Sequence, residues 1–251
     1  MTNQDYLEGV LGQQALSASQ VNQLRTLRDS VQGVLARLQG SPRFYYAGSY
    51  AKSTMVRARY DLDVVAYWPA DCGYRLRDIY EGVGKILEKE WRIKPKTVAW
   101  EIPFEGGFHV DVVPGRALDS SFVDANLYSR DNDSSLKTSL KTHIHTIRDS
   151  GRRDAIRLMK YWGIRAGVPL KTFVLELMTI EGCRGKSADA LEPQLFGALQ
   201  YLRDNIETAR VVDPANSNNV LSDAITATDK AAVKRAAQAA LSATYWSEVF
   251  S

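Results

Sequence analysis

The stretch GSYAKSTMVRARYDLDVV at residues 48–65 decides the fold and the chemistry open to this chain. The segment LDVVAYW at 62–68 is rich in β-branched and aromatic residues and predicts a strand. Asp61 and Asp63 are two residues apart, and because side chains alternate across a strand, both carboxylates project from one face. Two like charges held this close repel each other unless a cation lies between them. Mg²⁺ prefers hard oxygen ligands, so the pair predicts a divalent metal site, with a solvated acidic pair as the alternative.

A third carboxylate occurs fifty residues after Asp61, in the sequence FHVDVV. Asp111 lies in the middle of this apolar strand, where an acid is costly to bury unless it is paired or bound to a metal. If the two strands are neighbours, three carboxylates converge, which is enough to hold two Mg²⁺ ions for in-line phosphoryl transfer. The competing interpretation makes Asp111 the buried partner of a basic residue and pairs Asp61 and Asp63 with Arg57 or Arg59.

The residues before the acidic pair are suited to a phosphate. Gly48 allows the backbone to approach a phosphate closely, and Ser49 and Thr54 add hydroxyl donors. Lys52 adds positive charge, and the segment is predicted to open a helix whose first amides favour anions. A glycine and a serine alone would indicate a turn, but together with the three acids they indicate a phosphate site.

The first half of the chain alternates helices and strands. Apolar residues at helical spacing predict helices at 19–39 and 76–87. Strands are predicted at 44–47, 62–68, 98–102 and 108–113, the last two joined by a tight turn at Gly106-Gly107.

From about residue 133, strand signals fade and helical patterns dominate, at 133–148, 152–166, 170–181, 191–209 and 222–246. Asn219 is expected to cap the helix that begins at Val220. The chain is therefore predicted to be α+β and bilobal, with a small mixed sheet and its helices in residues 1–132 and a helical lobe in residues 133–251. The active site is expected between the two.

The composition excludes several classes of protein. With 251 residues, 45% of them hydrophobic and 24% charged, the chain is an ordinary globular protein and not a fibrous or disordered one. It has no apolar run of the ~18–20 residues that a membrane span needs, and its first residues, MTNQDYLEGVLGQQ, lack the pattern of a signal peptide. Cys72 and Cys183 are the only cysteines, so we expect a cytoplasmic protein without disulfides or membrane attachment. The net charge of +3 is too small to indicate nucleic-acid binding by itself.

The order of these motifs resembles the DNA polymerase β-like nucleotidyltransferase superfamily: a Gly-Ser turn, a helix, Asp-x-Asp, and a later Asp on a strand. Within it, residues 48–65 are similar to the bacterial cyclic-oligonucleotide synthases of anti-phage signalling, the CD-NTases, to the animal oligoadenylate and cyclic GMP-AMP synthases, and to class I CCA-adding enzymes. The sequences RLMKYW at 157–162, LKTFVLELM at 170–178 and VVDPANSNNV at 211–220 resemble helical-lobe motifs of the same branch. The Cys/His cluster of the animal cyclic GMP-AMP synthase is absent from the sequence.

The resemblance implies a role for each matching residue. Asp61 and Asp63 would hold both Mg²⁺ or Mn²⁺ ions, and Asp111 would help to hold one of them and act as general base. The residues that would bind the nucleotide, through its phosphates, are Gly48, Ser49, Lys52, Lys160 and Thr172. A solvated helix lysine is an equally good interpretation of Lys160.

The resemblance further implies an enzyme that joins ATP and other NTPs into a cyclic or linear oligonucleotide messenger, releases pyrophosphate, and responds to a nucleic acid or a protein as activator. Two alternatives remain open. The chain could transfer nucleotides to an RNA 3′ end or a protein, or it could be a catalytically degenerate module that only binds nucleotides.

Overall fold

The computed structural model describes residues 2–105 and 108–251. Its helices are α1 Asn3–Gln13, α2 Ala18–Leu35, α3 Gly48–Lys52, α4 Leu76–Leu87, α5 Leu140–Arg148, α6 Arg153–Arg165, α7 Thr172–Gly182, α8 Leu191–Asn205, α9 Ala227–Ser242 and α10 Trp246–Phe250. Its strands are β1 Arg43–Tyr46, β2 Leu62–Trp68, β3 Lys94–Pro95, β4 Trp100–Pro103, β5 His109–Ala117, β6 Asp124–Ser129, β7 Ser134–Ser139, β8 Val212–Asp213 and β9 Asn216–Val220.

Contacts divide the chain into two compact units. We call the first the sheet unit; it consists of Leu16–Lys52 and Tyr60–Ile144. The second, the helical unit, consists of the residues up to Ala15, the short segment Ser53–Arg59, and His145–Ser251. These bounds differ from a single division between residues 132 and 133, because α1 and the 53–59 segment pack with the C-terminal helices, whereas β7 and the start of α5 pack with the sheet.

The sheet unit is built around β2 and β5, which pair in parallel. Strand β1 is antiparallel to β2, while β4 is antiparallel to the opposite edge of β5 and is followed by β3. Strand β6 pairs with the end of β5, and β7 pairs with β6. Strand β2 is buried along nearly its whole length, as expected for a strand with a neighbour on each side and helices packed on it.

The helical unit has its own apolar core. Its largest buried side chains come from α1, α6, α7 and α8, among them Leu7, Leu158, Met178 and Leu195. Helix α1 was not predicted from the sequence, although its beginning carries a capping box in which Thr2 and Asp5 bond each other's backbone amides. None of the helices in the described residues is both long and apolar enough to cross a bilayer.

The predicted helix at 133–148 begins with a strand, and the predicted capping role of Asn219 is wrong. Residues 134–139 form β7 and α5 begins only at Leu140, because the segment SSLKTS completes the edge of the sheet by pairing with β6. Residues 216–220 form β9, so Asn219 does not cap a helix; its side-chain amide donates to Asp213 Oδ2 at 3.1 Å across the β8–β9 hairpin. The helix predicted from 222 begins at Ala227, where Thr226 caps it.

The other strand predictions are confirmed to within a few residues. Strand β2 has the predicted bounds, and β4 pairs antiparallel with β5, with Ile102 opposite Val110. The turn predicted at Gly106-Gly107 lies outside the described residues.

Candidate active site

The register between the two central strands brings the predicted acids together. In the parallel pair β2–β5, Asp63 lies directly beside Asp111. Asp61 precedes β2 by one residue and, two positions before Asp63, lies on the same side of the chain. The neighbours Leu62, Val110 and Val112 are buried, so alternation directs the apolar side chains to the core and the carboxylates to the opposite face. The register therefore places Asp63 and Asp111 side by side, with Asp61 two positions before Asp63, and the role of the three acids at a metal stays a prediction.

Gly48 packs directly against the second of these acids. The amide of Ala47 donates to the Asp63 carbonyl at 3.0 Å, which holds the start of α3 beside β2. Gly48 has φ of +56°, and a Cβ added there would lie 1.7 Å from Asp63 Oδ2. Both the backbone conformation and the close approach therefore require glycine at this position.

The charges of the cluster perturb one another. Burial, together with the nearby charges of Asp61 and Asp111, raises the pKa of Asp63 to about 7, although Lys52 and Lys96 oppose the shift. Burial also raises the pKa of Asp111, again against the effect of Lys96. Carboxylates forced together on one face in this way are a donor set that suits a divalent cation.

A basic residue binds Asp111. Lys96 Nζ lies 2.8 Å from Asp111 Oδ1 and 2.7 Å from Oδ2, and it also lies 3.0 Å from Glu101 Oε2. Glu101 is directly opposite Asp111 in the β4–β5 pair and binds Lys94 at 3.1 Å through its other oxygen. These lysines lower the pKa of Glu101, chiefly through the hydrogen bond from Lys96. Asp111 therefore has a basic partner, as the competing interpretation predicted, and it also lies beside Asp63; its role at a metal stays a prediction.

A histidine completes the surroundings of the cluster. His109 Nε2 lies 3.5 Å from Asp61 Oδ2 and 3.9 Å from Asp111 Oδ2. Among the described residues, the group whose ligand atoms all lie within 4.8 Å of one another is Glu101, His109 and Asp111, which shares only Asp111 with the three predicted acids. The carboxylate oxygens of Asp61, Asp63 and Asp111 are nevertheless the donor type that Mg²⁺ or Mn²⁺ prefers.

The predicted phosphate residues of the sheet unit lie on α3. Gly48 and Ser49 form its first turn and are partly exposed, whereas Lys52, at its end, is buried and acts electrostatically on Asp63. Because α3 has only five residues, the expected contribution of a helix N-terminus is small, and the prediction of a phosphate site rests on the Ser49 hydroxyl and on the charge of Lys52.

The two remaining nucleotide-binding candidates belong to the helical unit. Thr172 is exposed at the first position of α7. Lys160, on α6, is buried: its Nζ donates to the Thr54 carbonyl at 2.8 Å and lies 3.7 Å from Glu176 Oε1. The Thr54 hydroxyl donates to the same Glu176 oxygen at 3.0 Å, so Thr54 serves this buried network. A solvated helix lysine is thereby excluded for Lys160, and its role at a phosphate stays a prediction.

No family model matches the chain. Over 157 residues it is 31% identical to the cyclic AMP-AMP-AMP synthase of Escherichia coli strain MS 115-1, an alignment that covers 54% of this chain and 48% of that protein. The aligned part thus spans about half the length of this curated relative.

The fold is that of solved CD-NTases. The structure of CdnC from E. coli MS115-1 with ATP matches with a TM-score of 0.78 at 22% identity, over 99% of this chain and 98% of that one. CdnC in complex with HORMA-deltaN matches with a TM-score of 0.76 at 23% identity, over 99% and 97% of the two chains. The CD-NTase CdnG of Bradyrhizobium diazoefficiens, in complex with GTP, matches at 0.77 with 14% identity, over 94% and 89%. The sequence and the fold of this chain are thus both similar to those of CD-NTases. The predicted resemblance and the predicted α+β fold class are both confirmed.

Three residues around the acids were not singled out from the sequence: Lys96, Glu101 and His109. Their signal was weak but present. Glu101 is an acid between Trp100 and Ile102 in a predicted strand, and His109 alternates with Asp111 along β5, so both fall on the polar face by period-two spacing. Lys96 lies next to the strands, and no local pattern indicates that it reaches Asp111.

Proposed function

We propose that this chain is a CD-NTase, a nucleotidyltransferase that joins NTPs into a cyclic or linear oligonucleotide messenger in the presence of Mg²⁺ or Mn²⁺. We further propose that it acts in the cytoplasm as part of anti-phage signalling. The observation that carries the proposal is the register of β2 and β5, which sets Asp63 beside Asp111 with Asp61 at the same edge. The presence of all three acids argues against a degenerate module that only binds nucleotides.

In this proposal Asp61, Asp63 and Asp111 hold two divalent ions. When bound, such ions neutralise charge on the phosphates and make the attacking hydroxyl more acidic. Asp111 accepts the proton of the attacking ribose hydroxyl, a role that suits an acid held at a fixed position by its strand. The O3′ or O2′ atom then bonds to the α-phosphorus as pyrophosphate leaves.

The donor nucleotide is held by its triphosphate. Gly48 packs against Asp63, and Ser49, the next residue of α3, is proposed to bind the triphosphate through its hydroxyl. Lys52 contributes positive charge from the end of the same helix. Lys160 and Thr172 are proposed to reach the outer phosphates, as the resemblance implies.

ATP and other NTPs are the proposed substrates, and a protein is the proposed activator. The structures of relatives support both: CdnC is described with ATP and with HORMA-deltaN, and CdnG with GTP. A nucleic acid as activator rests on the family resemblance alone.

The test is a reaction of the purified chain with each NTP and with mixtures, in Mg²⁺ or Mn²⁺. We expect pyrophosphate release and a new small nucleotide product, identified by mass spectrometry. The matched controls are Asp63→Asn, expected to be inactive, and Asp71→Asn, which makes the same change at an exposed loop residue and is expected to be fully active.

Two outcomes would contradict the proposal. Label that moves only into added RNA or into protein would show that the acceptor is a macromolecule. If no pyrophosphate and no product appear with any NTP, in the presence or absence of bacterial lysate as a source of activator, the chain binds nucleotides without joining them.

A further inference from the structure

The ion pair on Asp111 has an unusual arrangement for a residue expected to hold a metal. The ammonium of Lys96 lies within hydrogen-bond distance of both carboxylate oxygens of Asp111, at 2.8 and 2.7 Å. The two oxygens are the atoms that would coordinate a divalent cation. An ammonium group and a divalent cation on one carboxylate repel each other, so their binding is mutually unfavourable.

Lys96 has a second acceptor. Glu101 Oε2 lies 3.0 Å from the same Nζ, on the strand next to Asp111 and directly opposite it in the register. A small shift of the ammonium toward Glu101 would free Asp111 without leaving the lysine unpaired. The Lys96 side chain is 38% exposed and has room to move, whereas the side chains of Asp111 and Glu101, on strands β5 and β4, are only 15% and 18% exposed.

We propose that Lys96 is a built-in competitor for metal binding at Asp111, and that Glu101 retains it when Asp111 takes a metal ion. Lys96 is thus a positioning residue: in the nucleotide-free protein it neutralises Asp111 and holds its carboxylate in place. A metal ion would then bind Asp111 together with the nucleotide. The nucleotide phosphates would supply the further oxygen ligands and the negative charge that allow the ion to displace Lys96. This inference rests on the proposed function, because it takes Asp111 as a metal ligand.

The test is a titration of the nucleotide-free protein with Mn²⁺. Binding is measured as the decrease of the electron paramagnetic resonance signal of free Mn²⁺. We expect Lys96→Met to bind Mn²⁺ about tenfold more tightly than the unaltered chain, or to bind one more ion, since changes next to metal ligands alter affinity on the order of 10–100-fold. Lys96→Arg keeps the positive charge and should behave as the unaltered chain does.

Lys94→Met is the matched control. It removes the same charge from a lysine that binds Glu101 and lies two residues away, but has no bond to Asp111 in the described contacts. A general effect of net charge would tighten Mn²⁺ binding equally in both variants, whereas competition at Asp111 predicts a change below threefold for Lys94→Met. Thermal unfolding of each variant checks that it is folded, and Lys96→Gln replaces Lys96→Met if the latter does not fold.

The inference is overturned if Lys96→Met, or Lys96→Gln in its place, binds Mn²⁺ as the unaltered chain does or more weakly, or if Lys94→Met has the same effect as the uncharged Lys96 variant. Failure of the proposed function looks different. In that case Asp63→Asn would leave Mn²⁺ binding unchanged, with or without ATP, because the acids would not be metal ligands at all.

Discussion

Lys160 allows the sharpest test of a single residue, because two roles for it predict different measurements. The side chains of Lys160 and Glu176 are 8% and 1% exposed. Thr54 links the two residues: its carbonyl accepts a hydrogen bond from Lys160, and its hydroxyl donates one to Glu176. The network therefore fixes the 53–59 segment to helices α6 and α7 within the helical unit. Lys160→Met removes the cation and keeps most of the apolar stem.

The expected cost follows from this burial. Removing one partner of a buried ion pair leaves the other charge uncompensated, which typically destabilises a protein by about 3–5 kcal/mol. For a chain of this size, 1 kcal/mol corresponds to roughly 2–4 °C, so the unfolding midpoint should fall by about 6–20 °C. Lys160→Met combined with Glu176→Met removes both charges and should recover much of the loss, because an apolar pair of similar volume often replaces a buried ion pair without penalty.

The assay is thermal and urea unfolding of the single and double variants without nucleotide, alongside ATP affinity. Lys171→Met, one residue before α7, is the control, since it removes an exposed lysine and should change the midpoint little. If Lys160→Met unfolds within about 1 kcal/mol of the unaltered chain and loses ATP affinity, the structural argument is wrong and Lys160 is a phosphate ligand first.

Three further predictions concern the sheet unit and the free thiols. Asp111→Ala should lower turnover about 10²–10⁴-fold while ATP affinity is partly kept. The free energy of unfolding should fall by only about 1 kcal/mol, because the Lys96 partner is partly exposed. Kinetics, ATP binding and unfolding, all measured on this variant, test the prediction. Gly48→Ala should destabilise by more than about 1 kcal/mol and abolish turnover, because its Cβ would overlap Asp63; normal unfolding and activity would contradict the packing. Burial raises the pKa of Cys183 to about 11, so a thiol reagent at pH 8 should label Cys72 in the folded protein and Cys183 only in denaturant, as mass spectrometry of the labelled peptides would show.

Much of the site could be predicted because its signals are local. Asp61 and Asp63 share a face through the period of a strand, and Asp111 stands out as an acid among valines, so the pattern of each strand indicates its polar face. The sequence also indicated that Gly48 allows a close approach of its backbone to another group, which was expected to be a phosphate. The contact that imposes it, with Asp63 rather than with a ligand, emerges only from the folded chain.

The errors and omissions share a physical cause, which is pairing between distant residues. The polar segment SSLKTS has no apolar alternation and becomes β7 only because β6 offers it an edge. The burial of Lys160 depends on Glu176 and on the 53–59 segment, which are far from it in sequence. Nothing in the neighbourhood of Lys96 in the sequence shows that it meets an acid fifteen residues later, across two strands.

The register of three strands explains why these residues act as one group. Asp63, Asp111 and Glu101 lie in a row across β2, β5 and β4, so all three project from the same face. A shift of β5 by one residue against β2 would place Val110 or Val112 in this row and turn Asp111 toward the core. The same strand register therefore buries the two valines and aligns the acids. Asp111 is the middle member of the row, with the proposed metal-binding acids on one side and the lysine-binding Glu101 on the other. In the proposed function, Asp111 is therefore the residue at which a metal ion and Lys96 compete, and its partner changes between the nucleotide-free and the loaded protein.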